Sequence, residues 1–71
     1  MNNPPKETQL NLTERQRQIV RELAEGTTNK EIGRRLGLAE GTVKVQLNRI
    51  YRKLGIANRT ALAVMAHKRS Y

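Results

Sequence analysis

The strongest constraint on this chain is its punctuation. Three glycines, Gly26, Gly37 and Gly55, each stand just past a run of apolar residues spaced three or four apart. Glycine most readily takes the left-handed conformation that ends a helix. Residues suited to starting a helix precede the same runs. Thr13-Glu14-Arg15-Gln16 and Thr28-Asn29-Lys30-Glu31 both have the capping-box pattern, in which the Thr hydroxyl and the Gln or Glu side chain satisfy free backbone N–H groups. Asn58 is a third good cap. The spacing therefore predicts four helices: one from Thr13 to the Gly26 stop, one from Thr28 to Gly37, one from about Glu40 to Leu54, and one from Asn58 to about Arg69.

The apolar stripes agree with these limits. Ile19, Val20, Leu23 and Ala24 form one face of the first segment, and Ile32 and Leu36 one face of the second. Gly33, between those two, leaves room for close helix approach. In the third segment Val43, Leu47, Ile50 and Leu54 fall within an arc of roughly 60°. Its opposite face holds Gly41, Val45, Asn48, Arg49 and Arg52, with Lys44 on the flank. The fourth carries two stripes: Leu62, Met65 and Ala66, which suit a core, and Thr60, Ala63, Val64 and His67. Residues 1–11 contain Pro4-Pro5 and no stripe, and read as a flexible lead-in or linker remnant ahead of a single domain over 12–71.

Size and composition narrow the function. A chain of 71 residues allows one domain, and a fold this small buries only about 60% of its unfolded surface. A roomy catalytic cleft is not expected. With two Tyr, no Phe and no Trp, the core must come from Leu, Ile, Val, Ala and Met. The absence of Cys excludes disulfides, thiolate metal sites and cysteine nucleophiles. A single His and no Asp make other metal sites improbable, so no metal, cofactor or small-molecule ligand is expected. No apolar run is long enough to span a bilayer. The chain reads as soluble and intracellular, and it has no nucleophile–base set that would make it an enzyme.

Charge points to a partner. The net charge is +8, which favours a polyanion, most often nucleic acid. The excess is not a uniform coat. Residues 13–25 balance, with Arg15, Arg17 and Arg21 against Glu14, Glu22 and Glu25. Residues 39–54 carry +3, from Lys44, Arg49, Arg52 and Lys53 against Glu40. A short helix, a glycine-containing turn and a second helix with a basic outer face are the parts of a helix-turn-helix. In that motif the second helix enters the major groove. At about 22 Å long, the third helix is ample for a groove about 12 Å wide.

Residue chemistry suggests the roles. Lys44, Val45, Asn48 and Arg49 can reach base edges. Lys and Arg donate to guanine O6 and N7, Asn pairs with adenine, and Val packs on a thymine methyl. Val45 is apolar in the centre of a polar face, although a β-branched residue left on the surface is common enough. Phosphate contacts are expected from Thr28, Asn29 and Lys30 at the start of the second helix, where free N–H groups and the helix dipole favour anions. Thr42, Arg52 and Lys53 could grip the flanking strands. Arg34 and Arg35 read as a solvated helix face. The small second stripe of the fourth helix, Thr60, Ala63, Val64 and His67, is a candidate dimer seam, against the plain alternative that Ala is a good helix former. His67, near a helix C-terminus, suits the dipole and not catalysis.

The chain also resembles a known family. Leu12-Thr13-Glu14-Arg15 with Ile19-Val20, Asn29-Lys30-Glu31-Ile32, Leu36-Gly37-Leu38, Gly41-Thr42-Val43-Lys44-Val45, Ile50-Tyr51-Arg52-Lys53-Leu54-Gly55 and Asn58-Arg59-Thr60 together look like the LuxR-type, GerE/FixJ-like helix-turn-helix domain. The resemblance spans residues 12–66. It implies an all-α, four-helix output domain of a bacterial, cytoplasmic transcription regulator, without a winged element. It implies that helix 40–54 reads double-stranded DNA and that helix 58–69 mediates a homodimer on it. Base reading then falls on Lys44, Val45 and Asn48. Backbone contact falls near Thr28, Asn29, Lys30, Thr42 and Lys53, and dimerisation on Thr60, Ala63 and Val64. Three positions depart from the family pattern: Gln16 replaces the usual Glu, Ala39 the common Ser, and Gln46 the common His. The domain usually sits behind a receiver or sensing domain, so this is either an excised output domain or a stand-alone member. A fourth-region sigma-factor reading, with RNA polymerase as a further partner, fits Thr13–Arg17 and Gly41–Lys44 but not Tyr51–Thr60. An interaction module that pairs with another regulator is the remaining alternative.

Overall fold

A computed structural model describes residues 12–69. The lead-in expected over residues 1–11 lies outside the described residues. Four helices follow in order: α1 (Glu14–Ala24), α2 (Asn29–Leu36), α3 (Glu40–Leu54) and α4 (Arg59–Arg69). No strand occurs among the described residues, so the fold is all-α as the punctuation predicts.

The caps form largely as read. Thr13 Oγ1 accepts from Gln16 N at 3.0 Å, and Gln16 Oε1 accepts from Thr13 N at 3.0 Å, which completes the first capping box. The second is only half made. Thr28 Oγ1 accepts from Glu31 N at 3.2 Å, but the Glu31 carboxylate turns toward Arg34 at 3.8 Å instead of back to Thr28. Asn58 Oδ1 accepts from Ala61 N at 2.9 Å and starts α4. Ala39 stands at the start of α3 with no side-chain cap. Gly37 and Gly55 end α2 and α3 with φ of 73° and 68°, the left-handed geometry that favours glycine.

Burial draws the helices together. Leu12, Ile19, Val20 and Leu23 meet Ile32, Val43, Leu47, Ile50, Leu62 and Ala66 in one buried cluster. Each fully buried aliphatic side chain of this kind contributes about 1.5–3 kcal/mol. Ala24, Leu36, Leu54 and Met65, also read as core, are half-buried against its edge. α2 packs chiefly on α3, and α4 on α1. The space kept by Gly33 serves the turn: a Cβ there would collide with the Leu38 carbonyl oxygen, while Leu38 N donates to Gly33 O at 2.8 Å. Two arginines lace α1 to α2 from outside. Arg15 donates to Leu36 O at 3.1 Å, and Arg35 pairs with Glu22 at 2.8 Å. Arg34 and Arg35 are exposed, but Arg35 is thus more than a solvated charge.

Candidate nucleic-acid interface

α3 turns one side to the core and the other to solvent. Val43, Leu47 and Ile50 are buried, whereas Thr42, Lys44, Val45, Asn48, Arg49, Arg52 and Lys53 are exposed. The helical period alone places the first three together and the others around the outer face. Val45 is 48% exposed, one of two large hydrophobic side chains so open among the described residues.

Charge is sorted between the helices. Glu14 pairs with Arg17 at 2.9 Å and Arg21 at 3.4 Å, Glu31 with Arg34, and Glu22 with Arg35. The hydrogen bond from Arg17, reinforced by Arg21, holds the Glu14 carboxyl below its ordinary range. These pairs lie on α1 and α2. Lys44, Arg49 and Arg52 on α3 have no acidic partner among the described residues. Lys53 donates to Gln16 Oε1 at 2.9 Å, an acceptor that carries no charge, so its own charge stays uncompensated. An unpaired basic face of this kind attracts phosphate through the field it projects.

The start of α2 lies beside this face. Thr28 and Lys30 are exposed and Asn29 is half-buried. Arg59, from α4, donates to Asn29 Oδ1 at 2.6 Å and to Thr27 O at 2.6 Å. Asn29 therefore keeps its N–H pair for an outside acceptor. Asn29, Lys44, Leu47, Asn48, Tyr51 and Arg59 line a hollow of 280 Å³ where α2, α3 and the start of α4 meet. Of the expected residues, this hollow brings Asn29 together with Lys44 and Asn48, while Arg49, Arg52 and Lys53 line a second cleft with Thr13, Gln16 and Gln46.

The four residues of the expected dimer seam do not share one environment. Thr60 and Val64 are exposed, Val64 at 50%. Ala63 is half-buried against the core cluster. His67 Nε2 lies 2.8 Å from Ala24 O, so the ring caps the end of α1. Sequence reasoning did not find the roles of Arg59 and Gln46. Arg59 reaches across 30 residues to Asn29, and Gln16 links 30 residues on to Gln46. No local spacing rule reports such pairs.

A short helix, a turn clamped by glycine, and a longer helix with a bare basic face define a helix-turn-helix domain. Residues 10–66 match the family described as bacterial regulatory proteins, luxR family, and the chain belongs to it. Its homologues are LuxR-type DNA-binding transcription regulators. YhjB of Escherichia coli is 52% identical over 54 residues, which are 76% of this chain and 27% of that protein. The DNA-binding transcriptional activator DevR/DosR of Mycobacterium tuberculosis is 47% identical over 55 residues, 78% of this chain and 25% of its own length. The transcriptional regulatory protein LiaR of Bacillus subtilis is 46% identical over 57 residues, 80% of this chain and 27% of its own. The chain thus spans only about a quarter of the length of these relatives. Among the described residues no helix is long and apolar enough to cross a membrane, and no group of acids or histidines is placed to hold a metal ion.

Proposed function

We propose that this domain binds double-stranded DNA at specific sequences, with α3 in the major groove. The observation that carries the reading is the exposed outer face of α3, where the cations are unmatched by acids. Lys44, Val45, Asn48 and Arg49 read base edges. Lys44 and Arg49 donate to guanine, Asn48 takes adenine through paired bonds, and Val45 meets a thymine methyl. Thr28, Asn29, Lys30, Thr42, Arg52 and Lys53 hold phosphates and set the register. At the start of α2, Glu31 N is taken by Thr28 Oγ1 and Ile32 N by Thr28 O. The Asn29 and Lys30 N–H groups ahead of them are left for an anion at the positive end of the helix.

Two copies on one site would meet through α4, with Thr60 and Val64 at the centre and Ala63 and His67 beside them. The exposed Val64 supports this, as does the small side chain at Ala63, which lets helices approach closely. Residues 12–71 act as the DNA-binding unit, and the bacterial cytoplasm, where the DNA is, is its place of action.

In vitro selection from random duplexes tests all of this at once. The expected result is an enriched site of two related halves, which gives sequence, symmetry and spacing. Failure to enrich any sequence at moderate salt would remove the specific-binding reading. Enrichment of a single unpaired half would remove the dimer.

A further inference from the structure

Gln16 is the one buried polar side chain among the described residues, 3% exposed, and its neighbours dictate how its amide must lie. Its Oε1 accepts from Thr13 N at 3.0 Å and from Lys53 Nζ at 2.9 Å. A backbone N–H and an ammonium group can only donate. The amide oxygen must face them, so Nε2 must face the other way. There it donates to Gln46 Oε1 at 2.9 Å. The orientation of Gln46 is settled in turn: its oxygen is committed inward. Its own Nε2 has no partner among the described residues. Gln46 is on α3, and with Thr13, Gln16, Arg49, Arg52 and Lys53 it lines an open cleft of 520 Å³.

We propose that Gln16 is a positioning residue that makes Gln46 present N–H donors, not an acceptor, to the DNA. The inference rests on the DNA reading above. The direction of donation passes from Thr13 N and Lys53 through two amides to the protein surface. The cleft already carries Arg49, Arg52 and Lys53, so an outward carbonyl oxygen there would lie against the same acceptors that those cations attract. Outward N–H groups suit a phosphate oxygen or a purine N7, and both present the same acceptor chemistry. Gln16 itself does not touch DNA. It acts through Gln46, a residue that neither charge nor spacing singles out.

Gln16→Glu is the informative change. It keeps shape and still accepts from Thr13 N and Lys53, but it cannot donate. Gln46 must then turn its Nε2 inward and its oxygen outward. Side-chain amide exchange by NMR reads this on the 71-residue chain without DNA. In the unaltered chain the Gln46 amide hydrogens exchange fast and those of Gln16 slowly. In Gln16→Glu the Gln46 amide hydrogens become protected. If they remain fast-exchanging, the relay is wrong, whatever DNA does.

A double-mutant cycle on the selected site reads the consequence. Gln46→Ala should weaken binding roughly fivefold to tenfold in the unaltered chain. In the Gln16→Glu background the same change should leave binding equal or improve it, because it removes an outward oxygen. The charge added at position 16 is common to both arms of that comparison and cancels. Equal factors in the two backgrounds would assign Gln16 a purely structural role and overturn the proposal. Melting curves for all four chains separate binding from folding. Repeating Gln46→Ala on duplexes with purine N7 replaced by carbon distinguishes the acceptors: a factor that disappears at one replaced base assigns N7, and one that persists throughout assigns phosphate. Absence of any selected site would count against the DNA reading alone, since the exchange experiment stands without it.

Discussion

Gly33→Ala should destabilise the domain although it improves the local helix. Gly33 lies inside α2, where Ala is favoured over Gly by about 0.8–1 kcal/mol. The new methyl group, however, would fall on the Leu38 carbonyl oxygen, with the Leu38 carbonyl carbon at 3.4 Å and the Ala39 carbonyl carbon at 3.5 Å behind it. All three atoms are backbone, so no side chain can swing aside. The turn cannot back away cheaply either, because Leu38 N is bound to Gly33 O at 2.8 Å. Overpacking costs about 1–3 kcal/mol, and loss of that hydrogen bond adds about 1 kcal/mol. The net loss after the gain in helix propensity is about 1–3 kcal/mol. For a domain of this size that lowers the melting temperature by roughly 5–20 °C. Gly41→Ala is the matched control. It is also a helical glycine, in α3, but a Cβ there meets nothing within 4 Å. It should stabilise by up to about 1 kcal/mol. Circular-dichroism melts and urea titrations of both variants check the opposite signs. A Gly33→Ala chain that melts at or above the unaltered one would refute the claim that the turn fills that space. The same turn sets α3 against α2, so DNA affinity should fall in Gly33→Ala even where it remains folded.

Other outcomes follow from the same geometry. Ala39→Ser adds a side-chain acceptor at the start of α3, where Thr42 N already donates to Ala39 O at 3.0 Å, and should raise stability by about 0.5–1 kcal/mol in urea titration; no change would mean that this backbone bond already suffices for the Thr42 N–H. Lys44→Ala and Asn48→Ala should each cost about 1–3 kcal/mol of specific binding and relax preference at a defined base pair, by competition binding on site variants. Lys53→Ala should instead weaken all sequences alike and reduce the salt slope by about one; a base-specific effect would reassign it. Glu14 should titrate below an ordinary carboxyl in NMR, mainly through its bond to Arg17, and Arg17→Ala should raise it. A carboxyl lowered on folding lends its stability above its unfolded pKa and loses it as pH falls through the folded one. An unchanged Glu14 in Arg17→Ala would exclude that cause.

Much of the molecule was legible from residue order because helix signals are local. Caps lie within three residues of what they cap, and an apolar stripe repeats within two turns. Thus Thr13, Asn58, Gly37 and Gly55 bound their helices as expected, and Val43, Leu47 and Ile50 mark the dry side of α3. The outer face with Lys44, Val45, Asn48 and Arg49 follows as its complement. Composition also ruled out thiol chemistry before any fold was known.

Tertiary packing decided what those local signals could not. Thr28 and Glu31 have the same spacing as Thr13 and Gln16, yet only the latter pair closes its box. Gln16 is held in place by Gln46 and Lys53 from α3, whereas among the described residues the Glu31 carboxylate meets only Arg34, three residues on in its own helix. Gly33 is needed for a turn whose carbonyl arrives from five residues away. His67 reaches Ala24 O, and Arg59 holds Asn29, only because α4 folds back across the bundle. Gln16 acquires Gln46 and Lys53 because α3 packs against α1. Hydrogen bonds of that kind depend on distance and direction in space, and residue order carries no information on either until the apolar core has brought the helices into contact.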